Sequence, residues 1–223
     1  MWRGSEVPLP DEPRLATLQR LELDGGTNLP LGAMFAVPVW PSLVSLTAPL
    51  WVLEQVPAAL LDSLGELGVV EPSLADPRKP FDFLARHALP KLTSLRLVGQ
   101  WWRDVAAFER LPQRARLERV EVETTTPELW FPQAAKLERL DVLPGTSKYS
   151  EEGQRRFRFH FQRGHPLRIS VPRSPAPETL RELLLVPLGH VPAEARRGAQ
   201  LELPAGAVLT REVLAAFEAL AQR

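Results

Sequence analysis

The sequence predicts an α/β solenoid with a parallel concave sheet and short helices or loops on the convex side. It also predicts a β-hairpin near residues 156–171 and a C-terminal capping helix. Three observations carry this. A hexad of the form L-x-x-L-x-[LVA] recurs along the chain, a run near residue 160 alternates apolar and polar residues, and the last thirteen residues form an apolar helical stripe. In the hexad the second and third apolar residues lie two apart and so face the same side of a strand, while the first turns inward from the preceding loop. One such unit cannot bury its apolar side alone. Stacked units share a continuous core.

The first leucines of the hexads are Leu18, Leu43, Leu64, Leu92, Leu117, Leu137 and Leu180, separated by 25, 21, 28, 25, 20 and 43 residues, the last about two periods. Several hexads share a lead-in of a large apolar residue and proline: Trp40-Pro41, Leu89-Pro90, Leu111-Pro112 and Phe131-Pro132. On these residues the chain resembles the leucine-rich repeat family, in particular its divergent bacterial members, over about Leu15 to Leu185. The resemblance implies a solenoid that recognises other proteins on its concave face. The Asn usual in the family three residues past the third leucine is replaced by Gly26, Trp51, Pro72, Gln100, Thr125, Gly145 and Leu188. An irregular solenoid without a regular Asn ladder is therefore expected.

Taken in order, residues 1–13 are a Pro-rich extended lead-in with no apolar stretch behind a basic start, so no signal peptide is expected. The solenoid is assigned to 14–206, including the hairpin, and the capping helix to 207–223. A first strand is expected near Leu21–Leu23, followed by a turn at Asp24-Gly25-Gly26. Residues Gly25–Leu53 contain no charge, a length that would span a bilayer. Pro30, Pro38, Pro41 and Pro49 interrupt any helix there, so a buried repeat is expected and no membrane segment. Trp51–Leu61 is expected to supply a short helix or an irregular convex segment, its length limited by Pro57. Phe81–Ala88 follows Pro80, a favoured helix entry. Trp102, Val105, Phe108 and Leu111 make a helical apolar stripe. In Arg156–Val171, Phe157, Phe159 and Phe161 and then Leu167, Ile169 and Val171 alternate with polar residues around Arg163-Gly164-His165, the pattern of a hairpin. Leu201–Leu203 is a candidate last strand. Thr210 is a candidate N-cap, with Val213, Leu214, Phe217 and Leu220 as the apolar face of the final helix.

Composition narrows function. Lys+Arg and Asp+Glu both number 27, so no global field draws nucleic acid or an acidic membrane. The chain has no cysteine, hence no disulfide, thiolate nucleophile or Cys-ligated zinc, which fits a cytoplasmic protein. The histidines His87, His160, His165 and His190 include no pair with the helical spacing of a zinc protease. No phosphate-binding loop, dinucleotide fingerprint or nucleophile elbow is present. No cofactor or metal is expected, and no enzyme. A site assembled from an isolated histidine would require an interior or cleft-lining His with a close carboxylate.

The residues alternating with the buried leucines project from the sheet in three columns. The first is Arg20, Ser45, Glu66, Ser94, Arg119, Arg139 and Glu182. The second is Glu22, Thr47, Gly68, Arg96, Glu121, Asp141 and Leu184. The third is Asp24, Pro49, Val70, Val98, Glu123, Leu143 and Val186. From these, Arg96, Val98, Arg119, Glu121, Glu123, Arg139, Asp141, Leu143, Leu184 and Val186 form the candidate protein-binding face, combining arginine with apolar anchors. The alternative is a nucleic-acid accessory protein using the arginine-rich hairpin, with Arg155, Arg156, Arg158, Arg163 and Arg168 on phosphates. Strict alternation sets the hairpin phenylalanines on the face opposite the arginines, where they cannot stack on bases.

Overall fold

A computed structural model describes residues 17–23, 40–70, 78–99, 102–144, 157–171, 180–205 and 209–222. The lead-in 1–13, the turn at residues 24–26, and Arg155 and Arg156 lie outside them. The architecture is α/β, with a mostly parallel arrangement of nine strands and short helices among the described residues. The chain divides into two compact units, residues 1–98 with 106–117, and residues 99–105 with 118–223.

The first unit contains β1 (Arg20–Glu22), β2 (Ser45–Pro49), β3 (Glu66–Val70) and β4 (Ser94–Val98). They pair in parallel and in chain order, with Arg20 beside Ser45, Ser45 beside Glu66 and Glu66 beside Ser94. Each hexad thus supplies one strand in the expected register. Leu43, Leu46 and Ala48, then Leu64, Leu67 and Val69, then Leu92, Leu95 and Leu97 are all buried. Along the first hexad only Leu23 is buried, and among the described residues β1 pairs with β2 alone.

Stacking repeats a backbone device. The amides of Val44 and Ser45 both donate to the Gln19 carbonyl, those of Gly65 and Glu66 to Val44, and those of Thr93 and Ser94 to Gly65. These are the second and third positions of each hexad bonding to the second position of the preceding one. The amide of the first leucine turns back by three residues, as in Leu43 to Trp40 and Leu92 to Leu89.

The segments between the strands are short helices, three of them entered at a proline. They are α1 (Leu50–Leu53), α2 (Ala58–Leu61), α3 (Lys79–Arg86) and α4 (Val105–Glu109), all but the first residue of α4 lying in this unit. Pro49 and Pro57 occupy the N-caps of α1 and α2, and Pro80 sits in the first turn of α3. Phe81, Phe83, Leu84, Phe108 and Leu111 are buried beneath them.

The orphan carbonyls at the end of α3 are satisfied by side chains from the next coil. Buried Gln113 donates its amide to the carbonyls of Leu84, at 2.9 Å, and His87. Arg116 donates to the carbonyls of Ala88 at 3.1 Å and Leu89 at 3.3 Å. Leu89, fully buried before Pro90, has φ of 42°, a left-handed conformation that costs a non-glycine residue roughly 1–3 kcal/mol. Arg116 and the buried leucine side chain hold it there. Arg114 lies over the Phe108 ring at 5.1 Å; burial lowers its guanidinium pKa, and Glu109 opposes that shift.

The second unit contains β5 (Arg119–Thr124), β6 (Arg139–Pro144), β7 (Arg158–Gln162), β8 (Arg168–Ser170) and β9 (Gln200–Glu202). β5 and β6 pair in parallel, and Glu138 and Arg139 both donate to the Glu118 carbonyl, the same device again. The expected hairpin then reverses the chain, with β7 antiparallel to β6 and to β8, whereas β9 returns parallel to β8. Gly164, φ 76°, makes its turn. Val120, Val122, Leu140, Val142, Phe159 and Ile169 are buried on one face of these strands, with the Phe131 ring centroid 5.3 Å from that of Phe159. The connection from β5 to β6 is two 3₁₀ turns, Pro127–Leu129 and Phe131–Lys136.

The Leu180 hexad departs from expectation. Residues Arg181–Leu185 form a π-helical turn that runs into α5 (Val186–His190), followed by α6 (Ala193–Arg196). Leu180, Leu184 and Leu188, four residues apart, are the buried set, so a helical stripe wins over the strand pattern that the same leucines also fit. Leu184 and Val186 therefore leave the strand columns, as does Glu182. The final helix α7 (Arg211–Ala221) forms as expected, Thr210 accepting the Val213 amide at its start. Of its apolar stripe only Phe217 is buried, and Leu214 stays exposed.

Gly68 has a specific reason to lack a side chain. A Cβ there would stand 2.2–2.7 Å from Thr47 Oγ1, Cγ2 and Cβ on the neighbouring strand. Alanine at an ordinary strand glycine gains roughly 0.5–1 kcal/mol. Gly68→Ala is expected instead to lose about 1–3 kcal/mol by overpacking, with part of the loss recovered by adding Thr47→Ala, as read from urea denaturation midpoints. Gln113→Leu, which orphans two carbonyls, is expected to lose about 1–3 kcal/mol in the same assay.

Candidate functional site

Alternation along the strands leaves one polar face on each unit. In the first unit it carries two ion pairs that reach over intervening strands. Arg20 on β1 meets Glu66 on β3 at 2.8 Å, and Arg96 on β4 meets Glu22 on β1 at 3.0 Å. Thr47 and Gly68 stand between the second pair in register, and the absence of a side chain at Gly68 leaves room for the arginine to lie across. Arg96 and Val98 of the expected face are here, both half-buried, and Val70 lies beside Val98.

In the second unit the register places Arg119 beside Arg139 and Arg139 beside Gln162 in one row. The next row is Glu121, Asp141, His160 and Arg168. Asp141, 4% exposed, is the centre of this row. Its Oδ2 accepts from Arg139 Nε at 2.9 Å, and its Oδ1 lies 2.5 Å from His160 Nδ1. Glu121 pairs with Arg158 at 3.6 Å. A buried carboxylate is stabilised only with partners such as these.

The face is less open than expected in this unit. Asp141, Glu123 and Leu143 are buried rather than projecting as contact residues. Glu123 reaches back to the Gly99 amide at 3.4 Å, and neighbouring long side chains fold over the acids they pair with. Arg119 is exposed, and Arg139 is 43% exposed at its side chain. Leu184 is buried in the π-helical turn and Val186 is exposed at the start of α5, so neither belongs to this face.

The hairpin arginines within the described residues each face a carboxylate: Arg158 Glu121, Arg163 Glu138 at 3.7 Å, and Arg168 Glu202 at 3.3 Å. Phe157, Phe159 and Phe161 are buried on the opposite side, as the alternation requires.

Pattern reading missed two features. Gln113 was silent because a polar residue in a loop carries no periodic signal; the repeated Pro-Gln after Leu111 and Phe131, with Gln133 also buried, was the available cue. The Asp141–His160 contact joins residues nineteen apart, visible only once the hairpin register is known. It is an interior histidine with a close carboxylate, the arrangement an enzyme site would need. Yet the second carboxylate oxygen is occupied by Arg139, and His160 has no other side-chain hydrogen bond among the described residues. A cavity of about 350 Å³ in this unit is lined by Phe131, Phe161, Arg163, His165, Leu167 and Glu194, not by His160. Among the described residues no group of three or more His, Cys, Asp or Glu is placed to hold a metal, and no helix is long and apolar enough to cross a membrane.

Neither a family model, nor a curated protein, nor a solved structure matches this chain.

Asp141→Ala removes charge-assisted hydrogen bonds to two neighbours and is expected to cost about 1.5–3 kcal/mol by denaturant unfolding. Arg139 can turn to water, which keeps the loss below that of a fully enclosed pair. Arg119→Ala, at an exposed site without an ion pair among the described residues, is expected to leave the midpoint unchanged.

Proposed function

We propose that this chain is a non-catalytic, leucine-rich-repeat-like module that recognises a protein partner through the polar face of its strands, as an adaptor, an inhibitor or a subunit of a larger assembly. The observation that carries this reading is the charged lattice displayed in register, above all the Arg20–Glu66 and Arg96–Glu22 pairs that lie across non-adjacent strands. Exposed pairs of this kind contribute about 0–1 kcal/mol, so a partner can exchange them for its own charges at little cost. Complementary charge then sets orientation and association rate, while Val70 and Val98 offer apolar contact beside it. The shared-carbonyl device at the entries to β2, β3, β4 and β6 supports the repeat reading, since it recurs at equivalent positions whatever the side chains. A chain without cysteine suits the cytoplasm. The charge compensation of Arg158, Arg163 and Arg168, and the burial of the hairpin phenylalanines, favour a protein partner over nucleic acid.

The test is affinity capture from the native host's lysate, read by mass spectrometry. Baits would be the wild type, Arg20→Glu/Arg96→Glu, Arg119→Glu/Arg139→Glu, and Glu194→Lys on α6 as a control off the sheet. A specific partner should be enriched by the wild type and the control, and reduced at least tenfold by one of the double variants with unchanged circular dichroism. A partner retained by both double variants would remove the sheet face from consideration.

A further inference from the structure

We infer that the row Arg119–Arg139–Gln162 in the second unit is an oxyanion clamp for a single acidic side chain, an aspartate or glutamate, of a protein partner. The inference rests on the protein-recognition reading above and names the chemistry of the contact.

The row crosses three adjacent strands in register, so its Cα atoms sit about 4.8 Å apart at each step. All three side chains offer N–H donors, and no carboxylate stands within the row. Like charges opposed on neighbouring strands are unfavourable. In the first unit the corresponding row tempers its arginine with a carboxylate, Arg20 with Glu66. Here Arg119 makes no ion pair among the described residues and is exposed. Asp141 compensates Arg139 alone, which leaves the Arg119 charge to be met by an incoming anion.

Arg139 is set up in advance. Asp141 takes only its Nε, the inner nitrogen, at 2.9 Å, which leaves both terminal nitrogens of the fork for a ligand. Asp141 is itself fixed: its side chain is 5% exposed and its other oxygen lies against His160 Nδ1. His160 and Asp141 are thus positioning residues that hold an exposed guanidinium in one orientation, and binding need not order that side chain. Gln162 can supply a third donor from the far side of Arg139.

The surroundings select a single carboxylate over a polyanion. Glu121 lies in the adjacent row, and Glu138 precedes Arg139 and pairs with Arg163, so a ligand with dense negative charge meets acids on leaving the clamp. The net charge of zero supplies no wider attraction.

The experiment is an NMR titration of the full chain, reading arginine Nε–Hε resonances. The ligands are the capped tripeptide Ac-Gly-Glu-Gly-NH₂, its glutamine analogue, and inorganic phosphate. Saturable shifts at Arg119 and Arg139 are expected with the glutamate peptide alone. Arg139→Lys, which keeps the charge and loses the fork, and Arg119→Gln should each weaken it about tenfold. Equal affinity in Arg139→Lys, equal shifts at Arg20 and Arg96, tighter binding of phosphate, or no saturable shift would each overturn the clamp. The two readings fail separately. A captured partner that tolerates Arg119→Gln and Arg139→Lys sinks the clamp and leaves recognition standing, whereas peptide binding without any captured partner does the reverse.

Discussion

The arrangement of the parallel strands leans on one recurring backbone interaction, two successive amides sharing a single carbonyl of the preceding segment. It appears where the chain enters β2, β3, β4 and β6. Because it involves main chain alone, it fixes the start of each strand irrespective of the residues carried there, and the side chains follow. Once the second hexad position is anchored, the leucines on either side fall into the core. The intervening residues fall into rows on the other face, and the spacing of charges is then decided by geometry. The segments between the strands are free to vary in length and form, and they do, from α1 with four residues to α3 with eight.

That freedom has to be matched by polar satisfaction in the connecting segments. Families with a regular turn asparagine solve this once per repeat. Here the solutions are local: Gln113 and Arg116 close the end of α3, and the Trp102 carbonyl accepts from both Thr124 Oγ1 and Trp130 Nε1 in the second unit. The irregular hexad spacing and the irregular supply of side-chain donors are two expressions of the same condition, since a coil of different length presents its loose carbonyls in a different place.

Much of this was legible in residues. The leucine register, the hairpin around Gly164 and the Thr210 cap could be read because each is a short-range periodicity or a local hydrogen bond. The Leu180 segment could not, because Leu180, Leu184 and Leu188 satisfy a helical stripe while L-x-x-L-x-L satisfies a strand, and only the surrounding packing chooses. Nor could the burial of Glu123, Asp141 and Leu143. Period two says which side of the strand a residue takes, but whether that side is open depends on where long neighbours such as Arg139 lay their side chains. The rows follow the expected strand register, while Glu123, Asp141 and Leu143 within them are buried.

The reversal at β7 bears on how such a chain can change length over evolutionary time. Upstream of it, in the first unit, successive coils run in the same direction and each asks of its predecessor only an in-register strand and a shared carbonyl. A duplicated coil inserted there meets both requirements. Between β6 and β8 the chain is antiparallel on both sides of β7, and a tandem copy of a parallel coil would present its strand in the wrong direction. An added parallel strand therefore fits in the first unit and not beside β7, where Asp141 and His160 lie against one another.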